Sequence, residues 1–104
     1  MPSMAGSEVR KLVVACDAGM GSSVMLASTL RRELRGHQVT VEHHPVAAIP
    51  ADADVVLCHT ALSERARRRV PAAVVVGFRV FLGDPNVAKV VSAIKQGGTL
   101  DSGP

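Results

Sequence analysis

Cys16 is followed by Asp17, Ala18, Gly19, Met20, Gly21, Ser22 and Ser23, a run that joins a nucleophilic thiol to two glycines and two hydroxyls. A thiol attacks phosphorus as the thiolate, so such a stretch has to favour negative charge on sulfur and on any phosphoryl group bonded to it. Backbone N–H groups after Cys16 and the N-terminus of a following helix supply partial positive charge to both. Gly19 and Gly21 let the backbone curl with its amides pointing inward, and Ser22 and Ser23 add hydroxyl donors or cap the helix. The stretch reads as a cradle that holds a phosphate on Cys16 without metal or cofactor. Each part alone has a plainer meaning, since a buried Cys is usually a small hydrophobe and glycines after a strand often make only a turn. Their combination between a strand and a helix is what points to an anion site.

The elements that must position this loop are legible around it. Leu12 to Ala15, Val55 to Leu57 and Val74 to Val76 are continuous apolar runs, expected of parallel strands covered on both faces. Val39-Thr40-Val41-Glu42 alternates apolar with polar and reads as an edge strand. Leu26, Leu30 and Leu34, with Ala27 beside them, give a helical face after Ser22 or Ser23 as N-cap, ended by Gly36. Leu62, Ala66 and Val70 give a second face stopped by Pro71, and Val87, Val90, Val91 and Ile94 a third entered through Asp84 and Pro85. Strands alternating with helices imply an α/β fold: a single-domain open parallel sheet of four strands flanked by three main helices. Ligands in such sheets sit beyond the carboxyl ends of the strands. Cys16 lies at that edge, with His43 and His44 after the second strand and Cys58 and His59 after the third. Residues 1–10 and 98–104 read as flexible tails around a domain at 11–97.

Composition bounds the partners. In 104 residues, Lys and Arg number 12 against 9 Asp and Glu, a formal net charge of +3 that suits an acidic or phosphorylated protein partner. With two Phe and neither Trp nor Tyr, there is almost nothing for bases to stack on, which argues against nucleic acid. No apolar run approaches a membrane span, so the sequence reads as cytoplasmic and free of direct membrane insertion. Two cysteines in such a chain read as thiols rather than a structural disulfide.

The loop from Cys16 to Ser23 resembles the phosphocysteine loop of the IIB components of the bacterial phosphoenolpyruvate-dependent sugar phosphotransferase system, in particular the mannitol type. The resemblance extends through Ile49-Pro50-Ala51-Asp52-Ala53-Asp54, His59, Leu62-Ser63-Glu64-Arg65-Ala66 and Val70-Pro71. It implies a four-stranded parallel sheet in the order 2-1-3-4 and a phosphoryl relay. In that relay a phosphohistidine of the IIA component passes its group to Cys16, which hands it to a sugar alcohol held by the membrane-embedded IIC component. The implied carrier works at the inner face of the cell membrane and is a monomer in isolation. The loop separates the mannitol type from the fructose, lactose and galactitol types. Cys58 departs from the family, which more often has a threonine before this histidine, and it reads as buried and structural.

Three other readings compete. A low-molecular-weight tyrosine-phosphatase-like hydrolase also carries a Cys after its first parallel strand, but needs an Arg where this chain has Ser22, and an Asp-Pro general acid that Asp84-Pro85 mimics. A metal or redox module would use Cys16, Cys58, His43, His44 and His59, yet no familiar ligand spacing is present. An IIB-like regulatory sensor would keep Cys16 but not the sugar. Among smaller features, His59 either reaches the loop to steady the phosphoryl group or serves as a solvent-facing or capping residue. Asp17 either discourages overly stable phosphate binding or hydrogen-bonds the loop backbone. Arg65, Arg67, Arg68 and Arg69 read as a solvated face, or as a docking surface for an acidic IIA component.

Overall fold

Alternate side chains of each apolar run go to opposite faces, so a continuous run needs a helical layer on both sides. The computed structural model describes residues 3–16, 21–80 and 83–101, with the backbone alone described for 21–23. Its strands are β1 (Ser3–Ala5), β2 (Lys11–Cys16), β3 (Thr40–Pro45), β4 (Val55–His59), β5 (Val74–Phe78) and β6 (Thr99–Asp101). Its α-helices are α1 (Gly21–Glu33), α2 (Ser63–Arg69) and α3 (Pro85–Gln96). The main sheet has the order β3-β2-β4-β5 with every pair parallel, which is the order 2-1-3-4 implied by the resemblance.

Leu12, Val14, Val55, Leu57, Val74 and Val76 pack with Leu26 and Leu30 of α1, Leu34 just after it, and Val90, Val91 and Ile94 of α3. Val13, Ala15, Val56, Cys58 and Val75 face the other way and pack with Ala66, Val70, Val46 and Ile49. Two cores therefore sandwich one sheet. The start of β2 is pinned by Asp54, whose carboxylate accepts from the backbone N–H groups of Arg10 and Lys11 at 2.8 and 3.0 Å. Lys11 Nζ lies 2.9 Å from Asp52, so the Asp52 and Asp54 of the motif hold the amino edge of the sheet, opposite Cys16.

Helix ends follow their residue types. Asp84 caps α3, Pro85 occupies its first turn, and Gly97 closes it with φ +82°, where a Cβ would be strained. Gly36, at φ +90°, ends the turn after α1. Helix α1 begins at Gly21, so Ser22 and Ser23 lie inside its first turn rather than at the N-cap.

Two readings of the sequence change. The segments taken as tails contain β1 and β6, which pair antiparallel with Met4 opposite Leu100. The link is backbone pairing plus a close approach of Gly6 to α3, where a Cβ would collide with the Ala93 carbonyl, and hydropathy patterning carries no trace of either. Strand β3 also runs further than its alternating stretch, through Pro45, because its neighbour β2 continues to Cys16 and the two stay in register to the end. His43 and His44 therefore lie within a strand instead of in the loop after it.

Candidate functional site

Strand β2 is central, with β3 on one side and β4 on the other, and Cys16 is its last residue. Five residues later Gly21 opens α1, whose N-terminus therefore lies toward the carboxyl edge of the sheet. Cys16 is a buried thiol outside any disulfide, 4% exposed. Asp17, Ala18, Gly19 and Met20 lie outside the described residues, as do the side chains of Ser22 and Ser23. The structure thus places Cys16 and the start of α1 on either side of the loop, and the donors expected of the loop lie outside the described residues.

The faces of the strands decide what meets the thiol. Leu12, Val14 and Cys16 alternate with Val13 and Ala15, so Cys16 points to the face that α1 covers. Val14 pairs with His43 in the parallel register, which puts His43 on that same face. Its Nε2 lies 3.4 Å from Cys16 Sγ, within hydrogen-bonding reach for sulfur. The thiol also lies 3.9 Å from the His44 carbonyl oxygen, a longer contact in which S–H is the donor. Sequence reasoning put His43 at this edge but considered it only as a ligand of the metal or redox alternative, not as a partner of Cys16 alone. The signal was the period-two count from Val41, which becomes usable only once β3 is known to continue.

The other chemistry-bearing residues are engaged elsewhere. His44 turns to the opposite face and its Nε2 lies 2.8 Å from Glu42. That contact, opposed by burial and reinforced by Lys11, holds the Glu42 carboxyl below its ordinary range. His59 uses Nδ1 to accept from the Ala61 N–H at 3.1 Å, capping the short turn at Thr60–Leu62, and its ring meets Phe78 edge-on at 6.4 Å. The capping reading of His59 describes its contacts. Cys58 is 0% exposed, with Sγ 3.8 Å from the Ser63 hydroxyl, and burial pushes its thiol up against the smaller opposing effects of Ser63 and Arg67.

Cys58 belongs to the core beneath α2 and Cys16 to the face beneath α1, so the two thiols lie on opposite sides of the sheet. A disulfide between them would need a strand to turn over. Of the five residues considered for a metal or redox centre, Cys16 and His43 come together. Among the described residues no group of three or more His, Cys, Asp or Glu side chains is placed to hold a metal ion.

Asp84 is committed as well. It is 6% exposed, and its carboxylate accepts from the N–H groups of Arg79 at 2.8 Å, Val80 at 3.2 Å and Asn86 at 2.8 Å. Burial alone would push its carboxyl up, but these amides and that of Val87 outweigh it and hold the group low. An ionised, fully engaged carboxylate suits a helix cap and not the general acid of a phosphatase.

Of the arginines after Ser63, Arg68 pairs with Glu64 at 2.7 Å and Arg69 donates to the Ile49 carbonyl at 3.1 Å. Arg65 and Arg68 are exposed. No helix among the described residues is long and apolar enough to cross a membrane.

Comparison with known proteins gives the family. The family model described as PTS system, Lactose/Cellobiose specific IIB subunit matches residues 11–93. The chain is 37% identical over 92 residues to a PTS system mannitol-specific EIICB component of Geobacillus stearothermophilus, covering 86% of this chain and 20% of that protein. It is 44% identical over 79 residues to the mannitol-specific EIICBA component of Escherichia coli K12, covering 73% and 12%. It is 36% identical over 90 residues to the mannitol-specific EIICB component of Bacillus subtilis, covering 85% and 19%. The chain thus spans a fifth or less of the length of these relatives. The family model's description names lactose and cellobiose, while these relatives carry mannitol in their names.

Proposed function

We propose, from the premise that this chain belongs to the PTS IIB family, that it carries a phosphoryl group on Cys16 between a IIA phosphohistidine and a sugar alcohol, mannitol, held by a membrane IIC component. The observation that carries the reading is the placement of a thiol outside any disulfide at the end of the central strand, five residues before Gly21 opens α1. The mannitol assignment is supported by the names of the full-length relatives and by the loop resemblance, and the family model's description pulls toward a disaccharide. We favour the relatives, because these three, 36–44% identical over 79–92 residues, all carry mannitol in their names, and the loop resembles the mannitol type.

In this reading the Cys16 thiolate attacks phosphorus, the S–P bond forms and the bond to the IIA imidazole breaks. Backbone amides from Asp17 to Ser23, with the Ser22 and Ser23 hydroxyls, hold the equatorial oxygens, and the N-terminus of α1 adds its dipole. A carrier has to hold the group without trapping it, and neutral donors suit that better than an arginine clamp. The chain works at the cytoplasmic face of the membrane, where IIC presents the sugar.

The test is phosphorylation of the full chain by the upstream phosphorelay, followed by intact-mass measurement and then by sugar transfer in membranes containing a mannitol-type or a lactose-type IIC component. One phosphoryl group per chain and transfer to mannitol are expected. Transfer to lactose alone would reassign the sugar, and label retained without transfer to either would favour the regulatory sensor.

A further inference from the structure

Strand β3 carries two consecutive histidines, and the pleat separates them completely. His44 turns to Glu42, with Lys11 Nζ 3.5 Å from the other carboxylate oxygen of Glu42. His43 turns to the reacting sulfur, with Nε2 3.4 Å from Cys16 Sγ. The imidazole is half-buried on an edge strand, and β2 and β3 pair in register from Lys11 and Thr40 to Cys16 and Pro45, so the contact is fixed by the sheet.

We propose that His43 is a catalytic residue of this chain: its Nε2 takes the Cys16 thiol proton and then stands as a charged donor beside the phosphoryl group on sulfur. The proposal rests on the reading of Cys16 as the phosphoryl acceptor. The step balances as follows. The Sγ–H proton passes to Nε2, leaving a thiolate and an imidazolium. The thiolate electron pair forms the S–P bond, and the P–N pair returns to the donor imidazole, which departs neutral when its other nitrogen carries a proton. Imidazole suits this because its ordinary titration range reaches neutral pH, and an adjacent cation favours a thiolate.

Among the described residues, Arg31, Glu42 and His44 on the elements beside His43 have partners of their own. From α1, Arg31 Nε donates to the Val41 carbonyl at 3.0 Å, on the same strand. On β3 itself, Glu42 and His44 form their own pair on the opposite face. From β2 comes Cys16. A purely structural histidine would fill the same space without altering how readily the thiol reacts.

The test measures iodoacetamide alkylation of Cys16, mapped by peptide mass, from roughly pH 5 to 9. It compares the unaltered chain with His43→Gln, His43→Ala and His37→Ala, the last an exposed histidine before β3. Both His43 variants are expected to slow Cys16 alkylation at pH 7 about tenfold and to move the rate profile to higher pH, while His37→Ala follows the unaltered chain. His43→Gln keeps a polar side chain of similar length, so the test stands even where the alanine variant folds poorly. Superimposable profiles for His43→Gln and the unaltered chain would overturn the proposal. Alkylation needs no phosphoryl donor, so this result is independent of whether the relay labels Cys16, which is the test of the reading beneath it.

Discussion

Cys16 and Cys58 lie at the carboxyl ends of neighbouring parallel strands, both are buried, and neither is in a disulfide. Their surroundings differ because one side-chain step along a strand exchanges one face for the other. Cys16 faces His43 and the approach to α1, where polar groups and backbone amides can serve a charged sulfur. Cys58 faces the core beneath α2, where burial favours the neutral thiol. The position of a cysteine at a strand end therefore selects nothing by itself. The face, and what that face leads into, separates the proposed nucleophile from a packing residue.

The largest expected contrast is in reactivity. In the native chain, Cys16 should alkylate at least about 100-fold faster than Cys58, because Cys58 must wait for the core to open. Peptide mapping after timed alkylation measures this, and comparable rates would erase the distinction.

Asp84 marks the far side of the same sheet edge, where a charged group is engaged in structure instead of chemistry. Asp84→Ala should cost about 1–2 kcal/mol by denaturant unfolding, through loss of the α3 cap and of the amide contacts at Arg79 and Val80. Its carboxyl is held low in the folded chain, so its contribution is complete above the ordinary Asp range and fades as pH falls through the folded value. Asp84→Asn should therefore flatten the acid limb of the stability profile, and an unchanged limb would contradict the assignment.

A smaller effect separates the thiols by stability. Cys58→Ala should cost roughly 1 kcal/mol through the space it leaves while phosphoryl labelling persists, whereas Cys16→Ser should leave stability nearly unchanged. A double loss in Cys58→Ala, of stability and of label in a chain still folded by circular dichroism, would place chemistry on the wrong face. Smallest is the exposed Glu64–Arg68 pair, for which Glu64→Ala should move stability by less than about 0.5 kcal/mol, since water screens both groups.

Much of this arrangement is readable from residue types. Three apolar runs and three amphipathic faces give the sheet and its helices, and Asp84, Pro85 and Gly97 mark α3 because their backbone chemistry is local. Strands β1 and β6 escape that reading, as their pairing depends on backbone contact between distant segments and on the absence of a side chain at Gly6. The Cys16 loop is legible as chemistry because a thiol, two glycines and two serines in that order combine a nucleophile with amide and hydroxyl donors. His43 is not, because its meaning depends on how far β3 follows β2, and that is set by the neighbouring strand.

The central claim is that phosphate rests on Cys16. Intact-mass and peptide measurement of the full chain after the upstream phosphorelay, beside Cys16→Ser and Cys58→Ser, tests it most directly. The account predicts one thiol-linked phosphoryl group in the unaltered chain and in Cys58→Ser, and none in Cys16→Ser. Label that survives in Cys16→Ser, or that vanishes in Cys58→Ser alone, would contradict it.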